Sequence, residues 1–184
     1  MTKIDAPNYT YGMVLESAEQ FLKKYNPENS LPVPELKKTL GIDAFITANF
    51  DQITIDDYAF NNYKQRTRFS FAHEIGHLVL HSEWFKQCGL INKDDIRGFY
   101  DCVDEITYRN LEVQANTFAS LILVPTSELN KIVEQKLGYL PKNVDFEVLQ
   151  PIFSDLSDYF DVSDQVILRR LIKEGILSRN AQKF

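Results

Sequence analysis

All three histidines of the 184-residue chain lie in one short stretch, Arg68 to His81, which reads RFSFAHEIGHLVLH. His73 and His77 are four residues apart, so a helix places their rings on one face, one turn apart. Two imidazoles at that spacing can bind one metal ion. Glu74 lies beside them and can act as a general base on a metal-held water, as in the H-E-x-x-H arrangement. We therefore predict a metal-dependent hydrolytic centre on this helix.

The helix that carries these residues is apolar nearly all round. At about 100° per residue, the polar side chains of residues 66 to 81 fall within an arc of about 100°. Such a helix is mostly buried, so its narrow polar stripe must face a cleft or find partners. A core helix with two hydrogen-bonded histidines is the alternative. We favour the metal, because a buried stripe of His, Glu and His needs a compensating charge that a divalent cation supplies.

His81 cannot be a third ligand of the same ion. It lies eight residues after His73, which is about 12 Å along a helix axis, whereas zinc–nitrogen bonds are about 2 Å long. We predict that His81 either supports the ligands from outside or lies at the helix C-terminus, where a cation suits the helix dipole.

A third ligand must come from elsewhere, and neither cysteine has a ligand-like neighbour. A second long helix is predicted from about residue 104 to 123, and it offers Asp104, Glu105 and Glu112. Glu112 is the best placed, because the small residues on its face allow a close approach to the small residues of the histidine helix. These small residues are Ala115 and Ala119, opposite Ala72 and Gly76. Asn116, one turn on, could accept a hydrogen bond from a ligating imidazole and set its tautomer.

The rest of the chain predicts a small sheet and further helices. Residues 11–24 have helical periodicity, and a short helix around residues 34–40 is expected to end at Gly41. Residues 44–58 predict two short strands with a turn near residues 49–51. The tail from about residue 144 to 177 is expected to be helical, with a break at residues 161–163. We therefore predict an α+β fold that is mostly helical, with a small antiparallel sheet.

Composition and charge narrow the classes of function. The first residues contain no apolar secretion signal, and the longest apolar run is too short to cross a bilayer, so we expect a cytoplasmic protein with no membrane partner. The net charge of −6 argues against bulk binding of nucleic acid. From Ser163 onward, however, the sequence contains five basic residues and two acidic ones. DNA binding by a helix-turn-helix is therefore an alternative, which we favour less than an architectural helix pair because residues 145–161 are acidic.

The motif RFSFAHEIGHLVLH, followed about thirty residues later by EVQANTFASLILVP, resembles the ImmA/IrrE family of metallo-endopeptidases. The segments VPELKKTLGI and LSDYFDVSDQVILRRLIKEGIL also fit that family, so the resemblance covers roughly residues 30–178. It implies a zincin-like fold with a thermolysin-like zinc site. His73 and His77 match the histidine ligands, Glu74 the catalytic glutamate and Glu112 the third ligand. Asn116 matches a position often held by Asp or Asn.

The resemblance also implies an organisation and a substrate. We expect a zincin-like metallopeptidase domain over residues 1–140 and a helix-turn-helix-like helical segment over residues 141–184 packed on it. The expected metal is zinc, with manganese as the other candidate. The expected activity is site-specific cleavage of a helix-turn-helix (XRE-type) repressor encoded nearby. The alternatives are a DNA-binding transcriptional regulator with a metal site and the toxin component of a toxin–antitoxin pair.

Overall fold

A computed structural model describes residues 5–25, 39–46, 53–55, 61–88 and 103–179, with the backbone alone for the second and third of these ranges. Within these residues the helices and strands follow one another along the chain. They are α1 (Tyr11–Tyr25), β1 (Thr39–Ile46), β2 (Ile53–Ile55), α2 (Lys64–Gln87), α3 (Glu105–Leu123), α4 (Thr126–Leu137), α5 (Phe146–Phe160) and α6 (Asp164–Lys173).

The predicted α+β class with a small antiparallel sheet is wrong, because the fold is nearly all helical. β1 and β2 form a two-stranded antiparallel ribbon, in which Phe45 lies opposite Thr54 and Ile46 opposite Ile53. A ribbon of two strands, one of them three residues long, is too small to form a layer of a core. Helices therefore supply the core, and the alternating pattern of residues 44–58 does not determine the fold class.

The prediction of a short helix that ends at Gly41 is wrong for the residues that the structure describes. Thr39, Leu40 and Gly41 belong to β1, so these residues pair in a strand and do not form a helix. The other residues of that predicted helix, and the turn predicted near residues 49–51, lie outside the described residues.

α2 and α3 pack against each other more extensively than any other pair of elements among the described residues. Small side chains allow this contact, since Ala72, Ala115 and Ala119 are fully buried between the helices. Gly76 is at the closest point. A Cβ atom there would lie 3.0 Å from both the Cα and the carbonyl oxygen of Ala115, so the two backbones could not stay at their present distance.

The C-terminal helices share the core of the earlier ones. α5 and α6 are joined by residues 161–163, the predicted break, where Asp161 adopts a left-handed conformation with φ of 47°. Leu156 of α5 and Leu171 of α6 belong to the same buried cluster as Val14 of α1 and Phe118 of α3. The boundary predicted at residue 140 stays a prediction.

One arginine of the predicted basic tail lies inside the fold. Arg170 is 1% exposed. Its guanidinium forms a 2.7 Å ion pair with Glu174 and donates to the Val124 carbonyl, the Tyr11 hydroxyl and the Thr126 hydroxyl. The hydrogen bonds to Tyr11 and Thr126 therefore tie α6 to α1 and to the start of α4. Separately, across the part of the chain described here, no helix has both the length and the apolarity to span a membrane.

Candidate metal centre and catalytic site

Three side chains from α2 and α3 bring their donor atoms together at the contact between these helices. His73 Nε2 and His77 Nε2 are 3.0 Å apart. The two oxygens of Glu112 lie 3.3 Å from them, Oε2 from His73 and Oε1 from His77. Among the described residues, the side chains of His73, His77 and Glu112 form a group of potential metal ligands whose donor atoms all lie within 4.8 Å of one another.

This donor set fits a zinc ion in both chemistry and spacing. Zinc bonds of about 2.0–2.2 Å in a tetrahedron place neighbouring donor atoms roughly 3.3 Å apart. The 3.0 Å between the two imidazole nitrogens and the 3.3 Å from each nitrogen to a Glu112 oxygen are close to that value. The two imidazoles contact different oxygens of Glu112. Two imidazoles and one carboxylate also leave a fourth coordination position open, which is the pattern of a catalytic rather than a structural zinc site.

Glu112 and His73 shift each other's pKa in opposite directions. Burial alone would raise the pKa of Glu112, but hydrogen bonds and charge from His73 and His77 hold it well below its usual value. Burial alone would lower the pKa of His73, but the hydrogen bond and charge of Glu112 raise it above its usual value. Glu112 is therefore a carboxylate at neutral pH, and a metal would compete with a proton for His73.

Asn116 of α3 lies beside a histidine ring of α2. Its Oδ1 is 3.2 Å from His73 Nδ1, and because an amide oxygen only accepts, the His73 Nδ1 is the donor. His73 Nε2 is then the nitrogen that faces Glu112 and His77. This is the geometry expected of a residue that sets the tautomer of a ligand, and that role remains a prediction.

His81 is buried in the middle of α2, and its predicted place at the helix C-terminus is wrong. The helix continues to Gln87, and His81 is 0% exposed. Burial lowers the pKa of its ring to about 4, so it is neutral at pH 7 and cannot complement the helix dipole as a cation. Its Nδ1 lies 3.0 Å from His77 Nδ1. The other prediction for His81, that it supports a ligand from outside, stays a prediction.

Gln114 was not predicted as a site residue. Its side chain is buried, with Oε1 3.0 Å from His81 Nε2 and Nε2 donating to the Pro7 carbonyl at 3.2 Å. The sequence does carry a signal for it. Gln114 occupies the apolar face of α3 between Leu111 and Phe118, at helical spacing, and a polar side chain on a buried face needs partners.

Glu74 is half-buried and lies outside the three-residue cluster. Its charge helps to raise the pKa of His73, so the carboxylate is near the site without belonging to the donor set. This placement is compatible with a general base, the role predicted for it.

The other predicted carboxylates of α3 lie away from the histidines. Asp104 is the N-cap of the helix, where its Oδ1 accepts from the Thr107 backbone nitrogen at 2.8 Å. Glu105 is exposed in the first turn. It precedes Glu112 by seven residues, about 10 Å along the helix axis.

A cavity of about 800 Å³ adjoins the N-terminal half of α2. Ser70 is part of its wall and lies three residues before His73 on the same helix, so the cavity and the donor cluster are about one helical turn apart. Lys64, Arg66 and Arg169 also contribute to the wall. Asp161, another wall residue, is paired with Arg68 at 3.0 Å.

Comparison with known proteins bears on this site. The sequence pattern of a peptidase family, described as IrrE N-terminal-like domain, matches residues 58–172. That range is more than half of the chain and contains α2 and α3 in full. No curated protein sequence matches the chain.

Proposed function

Because the chain belongs to the ImmA/IrrE family of peptidases, as its two motifs indicated, we propose that it is a zinc-dependent endopeptidase. The observation that supports this most directly is the convergence of His73, His77 and Glu112 with donor atoms 3.0–3.3 Å apart. In this proposal the three side chains hold the zinc, with manganese as the other candidate metal.

Bound there, zinc would supply a Lewis acid that polarises a peptide carbonyl and lowers the pKa of a water molecule. Glu74 then accepts a proton from the attacking water and later donates it to the nitrogen of the leaving chain. Its position next to His73 supports this role, because its charge acts on that ring while its carboxylate lies outside the donor set. Asn116 orients the His73 ring throughout.

The substrate in this proposal is a protein with an extended segment, and specifically a helix-turn-helix (XRE-type) repressor encoded nearby. The family resemblance supports the repressor. The net charge of −6 supports it as well, since an acidic enzyme attracts a basic DNA-binding protein. The cavity beside Ser70 offers room for substrate residues that flank the cleaved bond.

The alternative of a DNA-binding regulator loses support from the placement of the basic residues. Arg170 is buried in its ion pair with Glu174, and the Lys173 ammonium lies over the Tyr11 ring, 5.5 Å from its centre. Among the described tail residues, Arg169, Lys173 and Arg179 are exposed, which is a small basic surface for phosphate binding. For the toxin alternative, the described residues offer no specific support.

The proposal is tested by incubating the purified protein with the neighbouring repressor and mapping the products by mass spectrometry. The wild type with zinc should cut one or a few bonds, and Glu74→Gln should cut none. Casein serves as a general substrate and should be cleaved little. Rapid, indiscriminate digestion of casein would contradict a dedicated regulatory protease. The metal centre itself is tested by comparing the metal content of His77→Ala with that of the wild type.

A further inference from the structure

The cavity beside α2 lies between the helix that carries the histidines and the start of α6. α2 contributes Arg66, Phe69 and Ser70 to its wall, and α6 contributes Val166 and Arg169. Its volume of about 800 Å³ is within the range of roughly 300–1,000 Å³ that is usual for ligand pockets. The cavity is therefore large enough for part of a bound polypeptide.

The polar stripe of α2 connects this cavity to the metal ligands. Arg66, Ser70 and His73 follow one another at separations of four and three residues, so they lie on one face of the helix, on successive turns. The first two belong to the cavity wall and the third to the donor cluster. Along the helix axis, Arg66 precedes His73 by about 10 Å. A chain that is bound at the metal centre can therefore continue along this face into the cavity.

Cationic side chains predominate among the described residues of the cavity wall. Lys64, Arg66 and Arg169 are exposed members of that wall. One carboxylate, Asp161, belongs to the same set of residues, and it forms a 3.0 Å ion pair with Arg68. The described wall therefore has a net positive charge, although the net charge of the whole protein is −6.

Apolar side chains in the wall strengthen the effect of these charges. Phe69 is partly buried and packs against the core, and Val166 is 7% exposed. A concave site with walls of low dielectric constant focuses the field of the charges that line it. An anionic group is therefore attracted more strongly inside this cavity than beside the same cations on an open surface.

We propose that the cavity is a specificity site for the substrate, and that it binds an acidic side chain of the polypeptide that is cleaved at the metal centre. Lys64 of α2 and Arg169 of α6 supply positive charge from two different helices. An extended chain advances about 3.3 Å per residue, so the distance between His73 and the cationic wall places the acidic residue about two to four positions from the cleaved bond. This assignment rests on the proposed endopeptidase function.

An acidic residue beside the cleaved bond is compatible with a basic repressor as the substrate. The net charges of the two proteins act over long distances and steer their encounter. The cavity instead contacts a single segment of the substrate after the encounter. The cavity thus adds a local requirement to the general attraction between an acidic enzyme and a basic protein.

The first test begins with the bond that the wild type cleaves in the neighbouring repressor, mapped by mass spectrometry. Aspartate or glutamate should occur about two to four positions from that bond. Replacement of this residue by lysine should raise KM by roughly 5- to 30-fold and change kcat little, since an attraction becomes a repulsion. Arg169→Glu should raise KM for the natural repressor by a similar factor and should restore cleavage of the lysine variant. A merely structural role of Arg169 would not produce this exchange of preference.

Lys23→Glu is the matched control, because it changes the net charge of the protein by the same amount. Lys23 is exposed in the last turn of α1 and is not part of the described cavity wall. This variant should cleave the natural repressor with the KM of the wild type. Thermal unfolding of both variants shows whether they are folded.

The second test measures binding without cleavage, in the Glu74→Gln variant. The probe is a short peptide of glycine, serine and several glutamates that carries a neutral fluorescent label, and its counterpart has glutamine in place of glutamate. By fluorescence anisotropy at low salt, the glutamate peptide should bind more tightly than the glutamine peptide. Addition of Arg169→Glu should weaken its binding by roughly 5- to 30-fold, and addition of Lys23→Glu should leave it unchanged.

The outcomes separate the cavity from the proposed function. Repressor cleavage with no acidic residue near the cut bond, or with equal KM in Arg169→Glu and the wild type, would overturn the specificity site and leave the peptidase intact. Charge-dependent peptide binding by a protein that cleaves no repressor would support the cavity and contradict the proposed function. Equal binding of the two peptides would overturn the cavity in either case. Duplex DNA that is bound tightly by the wild type and not by Arg169→Glu would assign these cations to nucleic acid instead.

Discussion

Gly76 of α2 lies directly against Ala115 of α3, so close that a Cβ atom on Gly76 would be 3.0 Å from both the Cα and the carbonyl oxygen of Ala115. The obstacle is backbone, which cannot rotate away as a side chain can. His77 is the next residue on α2, and Glu112 lies one turn before Ala115 on α3. The distance between these two backbones therefore sets the distance between the imidazoles and the carboxylate.

Gly76→Ala should destabilise the protein by about 1–3 kcal/mol, as overpacking of a close contact does, and should also weaken zinc binding because it separates the two helices. Urea unfolding and chelator competition measure the two effects. Gly12→Ala is the matched control. Gly12 lies in α1, where an added Cβ would meet the Thr10 hydroxyl oxygen at an ordinary contact distance of 4.0 Å, so alanine there should leave zinc affinity unchanged and stability equal or slightly higher. Unaltered zinc binding in Gly76→Ala would show that the site tolerates a wider helix spacing.

Glu112→Ala should lose zinc, and Glu105→Ala should keep it. The Glu112 oxygens are 3.3 Å from both imidazoles, whereas Glu105 is exposed in the first turn of α3. Metal content of the purified variants, measured by elemental analysis, distinguishes the two. The reverse result, with zinc retained in Glu112→Ala and lost in Glu105→Ala, would show that Glu105 and not Glu112 is the third ligand.

Glu74→Gln should retain zinc and lose cleavage, because glutamine keeps the size of the side chain but cannot accept a proton. Zinc content and repressor cleavage are measured on the same preparation. Loss of both zinc and folding in this variant would instead indicate a structural role for Glu74.

The contribution of the His73–Glu112 pair to stability should be greatest between about pH 4.5 and 6.5 in protein stripped of metal. The raised pKa of His73 gives stability that is fully present below its unfolded value of 6.5 and is lost as pH rises through the folded pKa. The lowered pKa of Glu112 gives stability that is present above its unfolded value of 4.5 and is lost as pH falls through the folded pKa.

The measurement is the difference in unfolding free energy between the wild type and Glu112→Gln across pH, without metal. The difference should be largest inside that window and should shrink above it. Zinc affinity should change in the opposite sense, weakening as pH falls, because the proton on His73 competes with the metal. A difference that keeps growing above neutral pH would contradict the pairing.

Arg170→Met should destabilise the fold by about 3–5 kcal/mol, since it leaves the Glu174 carboxylate in a mostly buried place without its partner. The Glu174 side chain is 13% exposed. Arg169→Met, at the neighbouring exposed position, should change stability by less than about 0.5 kcal/mol. Thermal or urea unfolding gives both values. Specific DNA binding that disappears in a folded Arg169→Met variant would revive the regulator alternative.

The chain by itself determined those features that depend on neighbouring residues. The spacing of His73 and His77, with Glu74 between them, places two imidazoles on one face of any helix that forms there. The small residues Ala72 and Ala115 predicted the close contact of α2 with α3, which the structure contains. The tail break at residues 161–163 was readable for the same reason, because local sequence ends one helix and begins the next.

Only the tertiary structure decided the features that depend on residues distant in sequence. The strand-like pattern of residues 44–58 could not show that it forms a ribbon and not a layer, because a layer needs partners that a local pattern does not specify. The sequence predicted Arg170 as part of a basic surface, whereas in the structure its guanidinium is buried against partners that include residues of α1 and the start of α4. Gln114 and the Pro7 carbonyl are 107 residues apart in the chain, and a hydrogen bond over that separation exists only because folding brings the residues before α1 against α3.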